Sequence, residues 1–169
     1  GYDALRETMT EIENRYNEEK GLVRAEQSTS NDAFPEPENA GYSLGSECYY
    51  MKAYDSMAKI EKLLHGENEN SEKWSKVSEQ LREKIRKEYW NDAAGYFTSG
   101  PKGSEAYEKQ IWESSGEEAA LWEKFQIATP KQRKEILNRG IHTAMTPYGI
   151  RLFPHRKERN HYVGPVWPV

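Results

Sequence analysis

Three carboxylates stand out as candidates for acid–base chemistry. Asp32 lies in a long polar stretch with Ser28, Thr29, Ser30 and Asn31, and Glu26 precedes it in the same stretch. Glu113 and Glu117 are four residues apart, so they share one helical face or the entry to a helix. Carboxyls can serve as an acid and base pair because burial and neighbouring charge drive their pKa values apart. Each has an ordinary reading too. An Asp among Ser and Asn is commonly an Asx turn or a helix cap, and a Glu in a first helical turn favours the helix dipole. The second concentration of chemistry is C-terminal. Tyr148-Gly149-Ile150-Arg151-Leu152-Phe153-Pro154, followed by His161-Tyr162-Val163-Gly164-Pro165-Val166-Trp167-Pro168-Val169, is a long non-repetitive loop rich in aromatic and ring-constrained residues. Such loops are kept when they build a binding surface. The chain stops within this pattern, which suggests a piece of something larger.

Composition narrows the classes. The 169 residues suffice for about one domain. Charged content is 31% and mean hydropathy -1.03, yet 5 Trp, 11 Tyr and 4 Phe exclude ordinary disorder. A net charge of -4 gives no expectation of nucleic acid or anionic membranes as partners, and no run has the ~18 apolar residues of a membrane span. Cys48 is the sole cysteine and reads as a buried structural thiol. The four histidines (65, 142, 155 and 161) lack ligand spacing with carboxylates or thiols, so neither metal nor cofactor is expected.

Helical periodicity supplies the elements that must position these groups. Leu5, Met9, Ile12 and Tyr16 predict a helix over 3–18, stopped at Gly21. Residues 22–43 have no helical period and read as loop. Ser43 caps a helix over 44–65 with two apolar faces, as an inner-layer helix would have, ended by Gly66. Ser71 is the expected cap of an outer-layer helix over 72–90 with Trp74, Val77, Leu81, Ile85 and Tyr89 inward. Asn91–Gly95 reads as a turn, Tyr96-Phe97 as extended, and 99–110 as loop. A fourth helix over 115–127 has Ala119, Ala120, Trp122 and Phe125 inward. Thr129-Pro130 with Gln132 forms a capping box for a fifth, stopping at Gly140. Long and short connections alternate. In stacked helical hairpins this brings the long loops to one end, the natural place for a site. No 34-residue or similar period recurs, so a regular solenoid is not expected.

Four blocks, in order, resemble the loop motifs of the six-hairpin, or (α/α)6-barrel, glycosidases, closest to bacterial glycoside-hydrolase and debranching-type members. They are Gly21-Leu22-Val23-Arg24 with Ser28, Asn31 and Asp32; Ser43-Leu44-Gly45-Ser46 with Tyr49-Tyr50; Glu113-Ser114-Ser115-Gly116-Glu117 before Ala119-Ala120-Leu121; and Tyr148-Gly149-Ile150 through Phe153-Pro154, His161, Gly164 and Trp167-Pro168. Two departures are visible. Ala33 stands where the family has an aromatic, with Phe34 one place later, and the usual Tyr-His-Asn-Gly-x-Trp-Pro run reads Asn160-His161-Tyr162-Val163-Gly164-Pro165-Val166-Trp167-Pro168.

The resemblance implies an all-α fold, namely the helical hairpins of an incomplete (α/α)6 toroid. Long loops and short strands lie at one rim, and residues 1–169 form a single partial domain. It implies glycosidic bond cleavage, mostly with inversion, by two carboxyls about 6.5–9.5 Å apart across a water. Asp32 is then the leading general acid. Glu113 is a sugar ligand or the second carboxylate, Glu117 a further site candidate, and a base beyond Val169 is an alternative. Arg24, Phe34, Trp112, Tyr148, His161 and Trp167 are the expected substrate contacts, with Tyr42, Tyr162 and Arg151 as further ones. Aromatic planes stack on pyranose faces, and His161 and Arg24 donate to hydroxyls. Trp74, Trp90 and Trp122 are expected in the core. The partner implied is an oligo- or polysaccharide, with the rest of the barrel or self-association covering the inner helices, and a periplasmic or secreted location ahead of a cytoplasmic one. Two rivals differ in class. A polysaccharide lyase of the same barrel would pair Tyr162 or Tyr148 with His161, and a non-catalytic helical module would bind sugar or protein without turnover.

Overall fold

A computed structural model describes residues 1–25, 41–112, 114–139, 142, 145–147, 149–151 and 162–163. Backbone alone is described within 114–118 (Gly116 apart) and within 149–163. The chain runs α1 (Tyr2–Asn14), β1 (Tyr16–Asn17), β2 (Leu22–Val23), α2 (Leu44–His65), α3 (Glu69–Glu88), β3 (Trp90–Asn91), β4 (Tyr96–Phe97), α4 (Glu105–Glu108), α5 (Ser114–Leu121), α6 (Pro130–Asn138), β5 (Met145–Thr146), β6 (Gly149–Arg151) and β7 (Tyr162–Val163). The fold is mostly helical, with strands only two or three residues long. It agrees with an incomplete toroid of helical hairpins.

The central element is α2, which packs on α1, α3 and α5. Leu44, Met51, Tyr54 and Ala58 recur at spacings of seven, three and four and are all buried. A fully buried leucine or methionine side chain such as Leu44 or Met51 contributes about 1.5–3 kcal/mol. The Ser43 side chain accepts from the Ser46 N–H at 3.3 Å, which satisfies one orphan donor of the first turn. Trp74 and Leu81 of α3 close over this face. The Ser78 hydroxyl donates to Met51 O at 3.1 Å, and the Trp74 Nε1–H donates to Glu13 Oε1 of α1 at 2.8 Å. Cys48 is buried in this core.

The structure corrects four expectations. The first helix ends at Asn14, and Gly21 belongs to the turn of the β1–β2 hairpin. There Asn17 Oδ1 accepts from Lys20 N at 2.9 Å and Asn17 O accepts from Gly21 N at 2.7 Å, so local asparagine bonds outcompete helix continuation. The cap of α3 is Asn68; Ser71 is its partner in a reciprocal capping box. A short helix, α4, interrupts the 99–110 connection. Trp122 is 48% exposed, because α5 ends at Leu121 and Phe125 takes the inner place, with the rings 4.9 Å apart.

A repeat of two long units emerges. Asn17 and Asn91 start matching turns: Asn91 O accepts from Gly95 N at 2.8 Å and Asn91 Oδ1 from Ala94 N at 3.0 Å. Gly21 and Gly95 both hold positive φ, 64° and 79°, which glycine adopts without strain. The strands then leave in one register, with Arg24 N on Arg15 O (2.9 Å) and Thr98 N on Tyr89 O (2.9 Å). The next amides, Ala25 N and Ser99 N, bond to Gly41 O and Ile111 O, both at 2.8 Å. Gly41 is followed by α2 and Ile111 by α5. Helix, hairpin, connection and inner helix therefore occur twice.

Candidate functional site

The two long connections meet at the N-terminal end of α2. Leu44 N, the first helical amide, donates to Ser99 O at 3.0 Å, and the Tyr89 hydroxyl donates to Tyr42 O at 2.9 Å. The start of α5 is pressed against the same point. A Cβ on Gly116 would lie 3.0 Å from Leu44 Cδ2, so only glycine lets the helices approach this closely. Both hairpins and the entries of α2 and α5 thus form one rim. The 66–68 connection between α2 and α3 lies at the opposite end of α2.

At this rim, Arg24 is exposed, and its Nε lies 3.6 Å from where a Gly41 Cβ would stand. Lys20 Nζ sits 5.6 Å from the Tyr42 ring centroid. Trp112 is 4% exposed and belongs to the core cluster, so in this arrangement its polar edge is what it could offer. Among the described residues, neither the buried Trp112 Nε1–H nor the buried Ser99 Oγ has a hydrogen-bond partner. An unpaired buried donor costs about 1–3 kcal/mol. Gln110, two residues before Trp112, has φ 52°, and its carbonyl accepts from the Tyr96 hydroxyl at 2.6 Å. A non-glycine residue in this region stores strain, and strain concentrates at functional sites.

Of the expected site residues, Asp32, Phe34, Glu113, Tyr148, His161 and Trp167 lie outside the described residues, as does Glu26. Glu117 is placed by its backbone, as the fourth residue of α5. The described parts bring Arg24, Trp112 and the backbone of Glu117 to one rim. The segment 26–40, which carries Asp32, leaves and re-enters at the Ala25–Gly41 bond. Glu113 falls between Trp112 and the start of α5.

Sequence reasoning missed Glu47. It is wholly buried, and both carboxyl oxygens accept from Val23 N, at 3.1 and 3.2 Å. Burial pushes its pKa well above the carboxylate range, and the Val23 N–H offsets part of that rise. Its signal was present in the sequence. Leu44, Glu47, Met51, Tyr54, Ala58 and Glu61 form one helical stripe, and an acid on an apolar stripe is buried with it. Glu61 is likewise 3% exposed, bonded by the Tyr2 hydroxyl and by Asn68 Nδ2 at 3.2 Å.

No group of His, Cys, Asp and Glu among the described residues could hold a metal ion. No helix among them is long and apolar enough to cross a membrane. A solvent-open cleft of about 640 Å³, lined by Trp90, Asp92, Lys131, Gln132, Glu135 and Arg139, lies between α6 and the β3–β4 hairpin.

Residues 1–146 match the family described as the bacterial alpha-L-rhamnosidase 6 hairpin glycosidase domain. The chain belongs to this family. No curated protein matches it. The match spans all the helices and both rim hairpins, so the repeat seen here is part of a six-hairpin glycosidase domain. The C-terminal β5–β6–β7 sheet, with Met145 opposite Ile150 and Ile150 opposite Val163, extends beyond the matched residues.

Proposed function

We propose that this six-hairpin domain contributes its rim to the hydrolysis of a glycosidic bond in an α-L-rhamnosyl oligo- or polysaccharide, with inversion at the anomeric carbon. The observation that carries this reading is the Leu44 N to Ser99 O bond, which ties the two long connections together where α2 begins. Family membership supports a glycosidase, and the name of the family supports the sugar.

In this reading Asp32 gives its proton to the glycosidic oxygen as the bond to the anomeric carbon breaks. A water attacks that carbon from the opposite face and passes its proton to the second carboxylate. Glu113 is the candidate for that base, or a ligand of a sugar hydroxyl, and Glu117 stands one turn further along α5. Arg24 is an exposed rim cation able to donate to hydroxyls. Phe34, Tyr148, His161 and Trp167 supply stacking faces and a further donor, and Trp112 is a further candidate contact.

Proton NMR of freshly mixed protein and p-nitrophenyl α-L-rhamnoside tests this. The expected first product is β-L-rhamnose, formed before mutarotation. Release of the α anomer would overturn inversion. An unsaturated product from a uronate-containing polysaccharide would favour the lyase, and binding of L-rhamnose without turnover would favour a binding module.

A further inference from the structure

The buried acid at the start of α2 has no part in the proposed chemistry, yet it sits at the junction of the rim. Three consecutive residues of the strand leaving the first hairpin are held from three directions. Val23 N is held by the Glu47 carboxyl of α2, Arg24 N by Arg15 O from the end of α1, and Ala25 N by Gly41 O from the returning connection. Glu47 is the one side chain of the three, and it links this strand to the first turn of the central helix. We infer that Glu47 is a positioning residue whose carboxyl fixes the strand from which the 26–40 connection departs.

The surroundings of Glu47 favour a neutral group. The titratable side chains that feel it are the phenols of Tyr16 in β1, Tyr54 in α2 and Tyr89 after α3, all with pKa values raised chiefly by burial. A protonated carboxyl still accepts through its carbonyl oxygen, so an amide of the same shape can replace it.

The test rests on the glycosidase reading for its turnover arm and on amide hydrogen exchange for an arm independent of it. In Glu47→Leu, loss of a buried acceptor should speed exchange at Val23 and Arg24 about tenfold or more and lower kcat with KM nearly unchanged. Protection in α3 should be unmoved. Glu47→Gln should keep both exchange and kcat close to those of the original protein. The inference is overturned if Glu47→Leu leaves Val23 exchange unchanged, or if Glu47→Gln fails as fully as Glu47→Leu. If the original protein releases no rhamnose, the glycosidase reading fails, and the exchange arm still decides the fastening role.

Discussion

The α2–α3 hairpin and the rim above it are built on different physical terms. The hairpin is held by periodic apolar burial and local caps, with Asp55 paired to Lys52 at 2.6 Å and Lys59 at 2.9 Å on its surface. Its stabilising contacts repeat along the helices, and losing one leaves the rest in register. The rim is held by single bonds between distant segments: Glu47 to Val23, Leu44 to Ser99, Tyr89 to Tyr42. Each joins segments far apart in the chain. The hairpin therefore sets stability, and the rim sets where the connections go. Ligand-binding surfaces are drawn from such less redundant regions.

Four changes separate the two regions, from the strongest expected effect to the weakest. Leu81→Ala empties a fully buried site in the hairpin and should cost about 2–5 kcal/mol, read as a shift of the urea midpoint. Exchange at the rim should accelerate only through global unfolding. Arg86→Met removes the guanidinium that donates to Gln126 O and Ile127 O, both at 2.6 Å, and so loosens the turn after α5. A loss of about 1–3 kcal/mol is expected, with local proteolysis at 122–129 as the second readout. Gly116→Ala sets two effects against each other. The helix gains about 1 kcal/mol from alanine. Overpacking against Leu44 costs about 1–3 kcal/mol. A net loss near 1 kcal/mol should follow, and pairing it with Leu44→Val in a double-mutant cycle should recover part of it.

The smallest effect is a pH dependence of opposite sign in the two regions. Burial raises the Glu13 carboxyl, but bonds from Lys73 and Trp74 outweigh it and leave the pKa lowered; Asp55 is lowered in the same way by Lys52 and Lys59. These groups stabilise the fold above the ordinary carboxylate range, and that contribution is lost as pH falls through their lowered folded values. Glu47 is raised. Between the ordinary range and its folded value, only the unfolded chain releases the proton, so its contribution is lost as pH rises. Thermal melts across pH should show Glu47→Gln flattening the alkaline slope alone, while Glu13→Gln flattens the acid slope alone.

Much of the hairpin was legible in the sequence. Ser43, Gly66 and the Thr129–Gln132 capping box mark their helix ends where the structure has them, because caps and periodicity are local. The end of α1 was not, because Tyr16 continues the apolar period while Asn17 closes a turn that periodicity does not see. Ser71 drew the α3 boundary too late, since serine serves equally as cap or as the third residue of a capping box. The alternation of long and short connections agrees with the meeting of the first two long connections at Leu44 and Ser99, but the bonds that join them link residues far apart in sequence. Glu47 was visible as an acid on an apolar stripe, and the two Asn-to-Gly turns were visible as a repeat once the turn chemistry is compared. Asp32 and Glu113 rest on motif and order, because they lie outside the described residues.

The most direct test of the rim as the binding site is amide NMR of the protein titrated with L-rhamnose. The account predicts shift changes at Val23–Ala25, Tyr42–Leu44, Ser99 and Ile111–Trp112, with Leu63–Asn68 at the opposite end of α2 unmoved. Saturable changes centred on Leu63–Asn68, with the rim amides silent, would contradict it.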